Sequence, residues 1–168
     1  MRARGAAIAV LAGTAVAVPL LLAAGSTGAG GPNCLGKPAT IVRGAGDNSI
    51  QGTSRADVIV AGAGDDFVEA HGGADRVCGG GGNDLIFTGP SGDKVAAGGG
   101  SDEVHGVGGN DVLRGDKGGD SGTVPHQDET IEAGLYGGDG ADALTGGPGV
   151  DRCLGEAGND QLASCEIP

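Results

Sequence analysis

Tryptophan is absent from the chain, and its aromatic side chains are limited to Phe67, Phe87 and Tyr136 among 168 residues. A core of large side chains interlocking around helices cannot be assembled from so few, since most of the apolar content is alanine and valine. Basic residues are also scarce: 10 Lys and Arg stand against 22 Asp and Glu, a net charge of −12. That balance argues against nucleic acid or anionic membrane surfaces as partners and for cations or basic partners. No CxxC pair occurs, and His71, His105 and His126 lie apart from the cysteines, which argues against a Cys/His zinc site. Glycine, by contrast, is abundant, with 39 Gly beside 7 Pro. Such a composition belongs either to a disordered acidic chain or to a repeat that folds by another route, and periodicity decides between them.

Residues 1–30 read as a secretory signal peptide. Arg2 and Arg4 give a positive start, residues 6–24 form an apolar run of 19 interrupted by Pro19, and small residues follow. An uncleaved anchor is the competing reading, because roughly 17 to 25 apolar residues span a bilayer. Pro19 and the small-residue tail favour cleavage, leaving no stable membrane span. Export makes Cys34, Cys78, Cys153 and Cys165 candidate disulfide partners. Three pairings are open. Cys34 with Cys78 and Cys153 with Cys165 is preferred: the second pair closes a short terminal loop, and the first ties a capping segment, residues 31–42, to the body that follows.

From residue 43 the sequence falls into blocks of nine. Gly79-Gly80-Gly81-Gly82-Asn83-Asp84-Leu85-Ile86-Phe87 is the clearest copy; nine blocks run over residues 43–123 and three more over residues 137–163. The sixth position is Asp in eleven of these twelve blocks: Asp57, Asp66, Asp75, Asp84, Asp93, Asp102, Asp111, Asp120, Asp142, Asp151 and Asp160. The remaining block has Asn48. The fourth position is Gly in ten blocks, and the eighth is Ile, Val or Leu in ten.

Gly at the first, second and fourth positions lets the backbone take positive φ and turn its carbonyl oxygens toward a common point. A carboxylate at position six adds charge to that oxygen-rich turn. Oxygen-only ligation selects a hard cation, and a flexible site with many oxygens suits Ca²⁺ better than Mg²⁺. Position eight sits in a three-residue extended piece and points inward, so one block is a turn plus a short strand. Two blocks make one coil, and blocks n and n+2 stack at about 4.8 Å. Ile50, Val68, Ile86 and Val104 then line one side of a narrow interior, and Ile59, Val77, Val95 and Leu113 the other. Each edge carries a row of carboxylates that repel one another unless cations lie between turns, so metal binding and folding are expected to be one event.

The blocks resemble the RTX, or hemolysin-type calcium-binding, nonapeptide GGxGxDxUx. The resemblance implies an all-β chain: a parallel β-roll, or β-solenoid, built from twelve nonapeptide repeats. It further implies several Ca²⁺ ions between adjacent turns, held by the position-six Asp carboxylates and loop carbonyls. The early Cys, the Ala39-Thr40-Ile41-Val42 strand and the Asp-Arg-Cys…Cys-Glu ending are similar to small exported calcium-binding proteins of this kind in Gram-positive bacteria. Two blocks depart from the pattern. Gly52 to Val60 has Thr53 and Arg55 where Gly is expected, and Thr88 to Ala96 has Pro90 and Ser91, so weak or absent binding is expected there. The strongest candidates are Asp66, Asp84, Asp102 and Asp120 in one column and Asp142 with Asp160.

Residues 124–136 read as an interrupting loop, either a solvated bulge or a binding loop, and residues 164–168 as a C-terminal cap. Nothing in the chain forms a set of nucleophile, base and orienting group, so the expectation is a protein that is not an enzyme. Positions seven and nine should point outward, with Phe67, Leu85 and Phe87 in one column. That patch is either a self-association surface or ordinary cross-strand packing. A second functional reading is a cell-surface or matrix protein that uses the roll as a scaffold to bind cell wall or polysaccharide.

Overall fold

The computed structural model describes residues 31–120, 122–126 and 129–166. The segment read as a signal peptide lies outside the described residues, as does the end of the C-terminal cap. Glycine-rich turns keep most strands short, and residues such as Ile50, Ile59, Val68 and Val77 are fully buried between more exposed neighbours. In chain order, β1 (Asn33–Cys34) and β2 (Lys37–Pro38) make a small antiparallel pair. They are followed by β3 (Ile41–Val42), β4 (Ser49–Gln51), β5 (Val58–Ala63), β6 (Phe67–Glu69), β7 (Arg76–Gly81), β8 (Leu85–Pro90), β9 (Lys94–Gly100), β10 (Glu103–Gly108) and β11 (Val112–Gly118). After these come β12 (Gly122–His126), β13 (Glu129–Gly140), β14 (Ala143–Thr145), β15 (Cys153–Gly158) and β16 (Gln161–Ala163).

From β3 onward, apart from the consecutive pair β12 and β13, successive strands alternate between two sheets of seven strands. One sheet has the order β16-β14-β11-β9-β7-β5-β3; the other has β13-β10-β8-β6-β4, with β12 and β15 also paired to β13. Every pairing within these two sheets is parallel except β12 with β13. There is no helix among the described residues, and the two sheets enclose a parallel β-solenoid of about six turns.

The register bears out the expected pairing of blocks n and n+2. Ile50 lies opposite Val68, Val68 opposite Ile86, and Ile86 opposite Val104; in the facing sheet Ile59, Val77, Val95 and Leu113 form the matching column. All eight are completely buried. Fully burying one such aliphatic side chain contributes about 1.5 to 3 kcal/mol, and no aromatic side chain belongs to this core among the described residues. First-position residues help to fill it: Ala61, Ala70, Thr88 and Ala97 are also fully buried.

The interruption falls inside a block. Val104 pairs with Leu135 and Leu113 with Leu144, so the spacing between stacked residues rises from 18 to 31, an excess of 13. The turn beginning at Gly115 therefore finishes in Gly134-Leu135-Tyr136, whereas the sequence phase had assigned that strand to Ser121-Gly122-Thr123. Leu135, not Gly122, supplies the eighth-position side chain. The inserted stretch, expected as a loop, pairs with itself instead: Gly122 to His126 runs antiparallel to Glu129 to Ala133.

Both ends are tied down. Disulfides join Cys34 to Cys78 and Cys153 to Cys165, and the Arg76 guanidinium donates to the Leu35 carbonyl at 2.6 Å.

Candidate metal centre

The turns place the position-six side chains in two ladders, one along each edge of the solenoid. Asn48, Asp66, Asp84, Asp102, Asp120 and Asp151 share one edge; Asp57, Asp75, Asp93, Asp111, Asp142 and Asp160 share the other. Within each ladder the backbone N–H of one residue donates to the Oδ1 of the Asp one coil further on, at 2.7 to 3.1 Å. The carbonyl of each Asp from Asp57 to Asp142, and of Asn48, accepts the N–H of the seventh-position residue one coil on, as in Glu103 N–H to Asp84 O at 2.8 Å. Three of the four polar groups of each Asp are thus used inside the fold.

The fourth, Oδ2, has no partner in nine of them. Asp66, Asp75, Asp84, Asp93, Asp102, Asp111, Asp120, Asp142 and Asp151 all have a buried Oδ2 with no hydrogen bond, and none of these residues is more than 2% exposed. An unpaired buried carboxylate oxygen costs several kcal/mol if ionised, so it must be neutralised by a proton or a cation. Burial, the largest cause, pushes Asp102 up to about 8, Asp84 and Asp111 to about 7, and Asp75 and Asp120 to about 6, with Asp93 raised as well. The N–H from the preceding coil opposes the shift at each of the six, and neighbouring carboxylates reinforce it at all but Asp93.

Glycine has two different duties in these turns. Gly80 and Gly82, at positions two and four, have φ of 122° and 123°, a region closed to residues with a side chain unless they are strained. The first-position glycines, expected to share that role, lack a positive φ. What matters there is space. At Gly79, Gly106, Gly115, Gly137 and Gly146 a Cβ would overlap both the free Oδ2 of the same block's Asp and a carbonyl oxygen of the next coil. Carboxylate and carbonyl oxygens from two coils therefore converge with no donor between them, which is a donor set for a hard, oxygen-seeking cation. Among the described residues no three His, Cys, Asp or Glu side chains gather into one metal-binding group. The carboxylates come one per coil, and backbone oxygens have to complete any site.

The two irregular blocks differ from each other. In the first, Asp57 Oδ2 accepts both the N–H and the hydroxyl of Thr53 at 2.8 Å. In the second, Thr88 donates its hydroxyl to the Gly106 carbonyl at 2.9 Å; it lies near enough to the Asp93 carboxylate to oppose the rise in its pKa, but Asp93 Oδ2 accepts no hydrogen bond. Asp160 is only half-buried, at the last coil.

Sequence reasoning missed three features. A second ladder at position five runs beside the first edge, where Asp47, Asp65 and Asn83 accept the N–H of Asp65, Asn83 and Ser101 at 2.7 to 2.8 Å; Asp or Asn recurring at position five was its signal. Glu166 accepts the Asp151 N–H at 3.0 Å, the role that an Asp one coil on has for the other members of the ladder. The outward face also differs from expectation. Phe67 and Leu85 share a column but Phe87 lies in the neighbouring one, paired with His105, and Leu85 is buried. Phe87 stacks on His105 and His105 on Tyr136, each with ring centroids 4.7 Å apart, while Phe67 meets Phe87 edge-on at 6.1 Å. Arg152 lies over the Tyr136 ring, and His105 is also paired with the buried Glu103. The rings face one another along the sheet, which is cross-strand packing.

A parallel β-solenoid with free buried carboxylate oxygens along both edges defines a cation-binding roll. The family model of the RTX calcium-binding nonapeptide repeat matches the chain four times, over residues 42–77, 51–86, 87–121 and 135–162, together more than half of it. The chain belongs to this family, whose repeats bind Ca²⁺. The gap between the last two matches coincides with the antiparallel insertion. No curated protein and no solved structure matches the chain.

Proposed function

We propose that the protein is an exported, non-enzymatic calcium-binding roll that folds as Ca²⁺ enters between its stacked turns. The observation that carries this reading is the set of nine buried Oδ2 atoms without a hydrogen-bond partner. Asp66, Asp84, Asp102, Asp120 and Asp151 on one edge, and Asp75, Asp93, Asp111 and Asp142 on the other, would hold the ions with loop carbonyls. The ion would supply the positive charge that the fold itself does not place beside these oxygens.

Without calcium at neutral pH, each of these carboxylates must either ionise in a buried position or take up a proton, and both oppose folding. Extracellular calcium modules commonly bind with Kd of about 10⁻⁴ to 10⁻³ M. Ligand binding only to the folded state then stabilises it by mass action, and several sites multiply the effect. Two disulfides fit an oxidising compartment, as does the signal-like stretch at residues 1–30. Far-UV circular dichroism of the purified chain in EDTA, in millimolar Mg²⁺ and in millimolar Ca²⁺ tests the proposal. A large gain of β signal in Ca²⁺ alone is expected; an equally β-rich chain in EDTA at neutral pH would refute coupled folding.

A further inference from the structure

We infer that Asp57 takes no cation, and that Thr53 closes the first turn of its edge in place of a metal. The inference rests on the calcium reading above and narrows it to particular residues.

Of the position-six aspartates that are buried, Asp57 is the one whose Oδ2 is satisfied within the fold. Thr53 supplies two donors to it, the backbone N–H and the hydroxyl, both at 2.8 Å. The Thr53 hydroxyl is itself positioned by the Arg55 N–H, which donates to it at 3.1 Å. On the other side of the carboxylate, the Thr40 hydroxyl lies 3.4 Å from Asp57 Oδ1 and 3.2 Å from the Val58 carbonyl, and it accepts the Val58 N–H at 2.9 Å. Asp57 Oδ2 therefore has two short donors from one residue of its own turn.

The position of the carboxylate agrees with this. At Gly79, Gly106, Gly115, Gly137 and Gly146 the free Oδ2 of the same block is among the nearest atoms to a Cβ placed on the glycine. At Gly52, the first residue of the Asp57 block, the three nearest atoms all belong to the Ala70 backbone. The Asp57 carboxylate is thus not among the atoms nearest to that Cβ and is held by Thr53 instead. A cation there would have to displace two hydrogen bonds from an anion already satisfied, whereas at Asp75 one coil on, the oxygen is free. The other edge begins in a similar way, with the neutral Asn48 amide donating to Asp66 Oδ1 at 2.7 Å and to the Gly46 carbonyl at 2.5 Å. The first coil is thus closed by hydroxyl, amide and N–H donors, next to the Cys34–Cys78 bridge.

The test is the number of Ca²⁺ ions bound by the full chain, counted by native mass spectrometry under saturating Ca²⁺. Asp57→Asn should keep the count of the parent protein, whereas Asp84→Asn should lose at least one ion. Thr53→Gly combined with Arg55→Gly, which restores the repeat pattern, should add one ion. Loss of an ion in Asp57→Asn, or an unchanged count in the double glycine variant once its circular dichroism shows a folded roll, would overturn the inference. Absence of bound Ca²⁺ from the parent and from every variant would instead overturn the calcium reading itself.

Discussion

Replacing Asp102 by Asn should stabilise the metal-free protein and weaken the calcium-loaded one. Asp102 is fully buried and its carboxyl titrates at about 8 instead of 3.8, chiefly through burial. A carboxyl whose pKa is raised on folding adds stability that is complete below its unfolded value and is lost as the pH climbs to the folded one. For Asp102 that window runs from about pH 4 to about pH 8. At pH 7.5 the metal-free roll has lost about 5 kcal/mol at this side chain, at about 1.4 kcal/mol per pH unit. D102N removes that loss and keeps an oxygen for the Asp84 N–H, which the parent carboxylate accepts at 2.9 Å. It leaves an amide N–H₂ where Oδ2 stood, and an unpaired buried donor costs about 1 to 3 kcal/mol. The net expectation in EDTA at pH 7.5 is a variant more stable than its parent by about 2 to 4 kcal/mol.

Below about pH 3.5, under the unfolded value of 3.8, only the amide cost remains, so the variant becomes the less stable of the two. Urea titrations followed by far-UV circular dichroism read this directly, with the same concentration of a stabilising osmolyte in both samples where the metal-free parent is too unstable. In millimolar Ca²⁺ the order reverses again, because the variant lacks a charged ligand. D102N that is less stable than its parent in EDTA at both pH values would refute the reasoning, since it would show that the buried charge carries no penalty.

Other substitutions probe the frame. G82A should cost about 2 kcal/mol or more in the calcium-loaded thermal melt, because φ is 123° and the Gly64 carbonyl occupies the space a methyl needs. V107G should act in the opposite direction by about 1 kcal/mol, since a β-branched residue is held at φ 77°. Paired C153S and C165S substitutions open a loop of sequence separation 12 and should cost about 3 kcal/mol. They should also speed hydrogen exchange at the Asp151 N–H, which Glu166 now holds.

The nine-residue phase made most of the solenoid legible. An aliphatic residue every nine positions, with glycine between, can bury its side chain only by stacking, and so the columns from Ile50 to Val104 and from Ile59 to Leu113 could be written down from spacing alone. The phase could not say where an insertion begins. Ser121-Gly122-Thr123 continues the count of nine, and only the pairing of Leu135 with Val104 shows that the strand resumes 13 residues later. The aspartates were visible as a pattern, but what each oxygen does depends on neighbours one coil away. Thr53 reads as a departure from a glycine consensus, yet it is a donor to Asp57. The first-position glycines read as turn formers, yet they leave room beside Oδ2. The column assigned to Phe87 was wrong by one because positions seven and nine both face outward and differ only in which residues they stack on.

The most direct test of the account is the calcium content of the folded protein, measured by equilibrium dialysis against buffered Ca²⁺ with the metal quantified by mass spectrometry. Several ions per chain are predicted, released together with the β signal when EDTA is added at neutral pH. A chain that keeps its β signal with no bound calcium at that pH would contradict it.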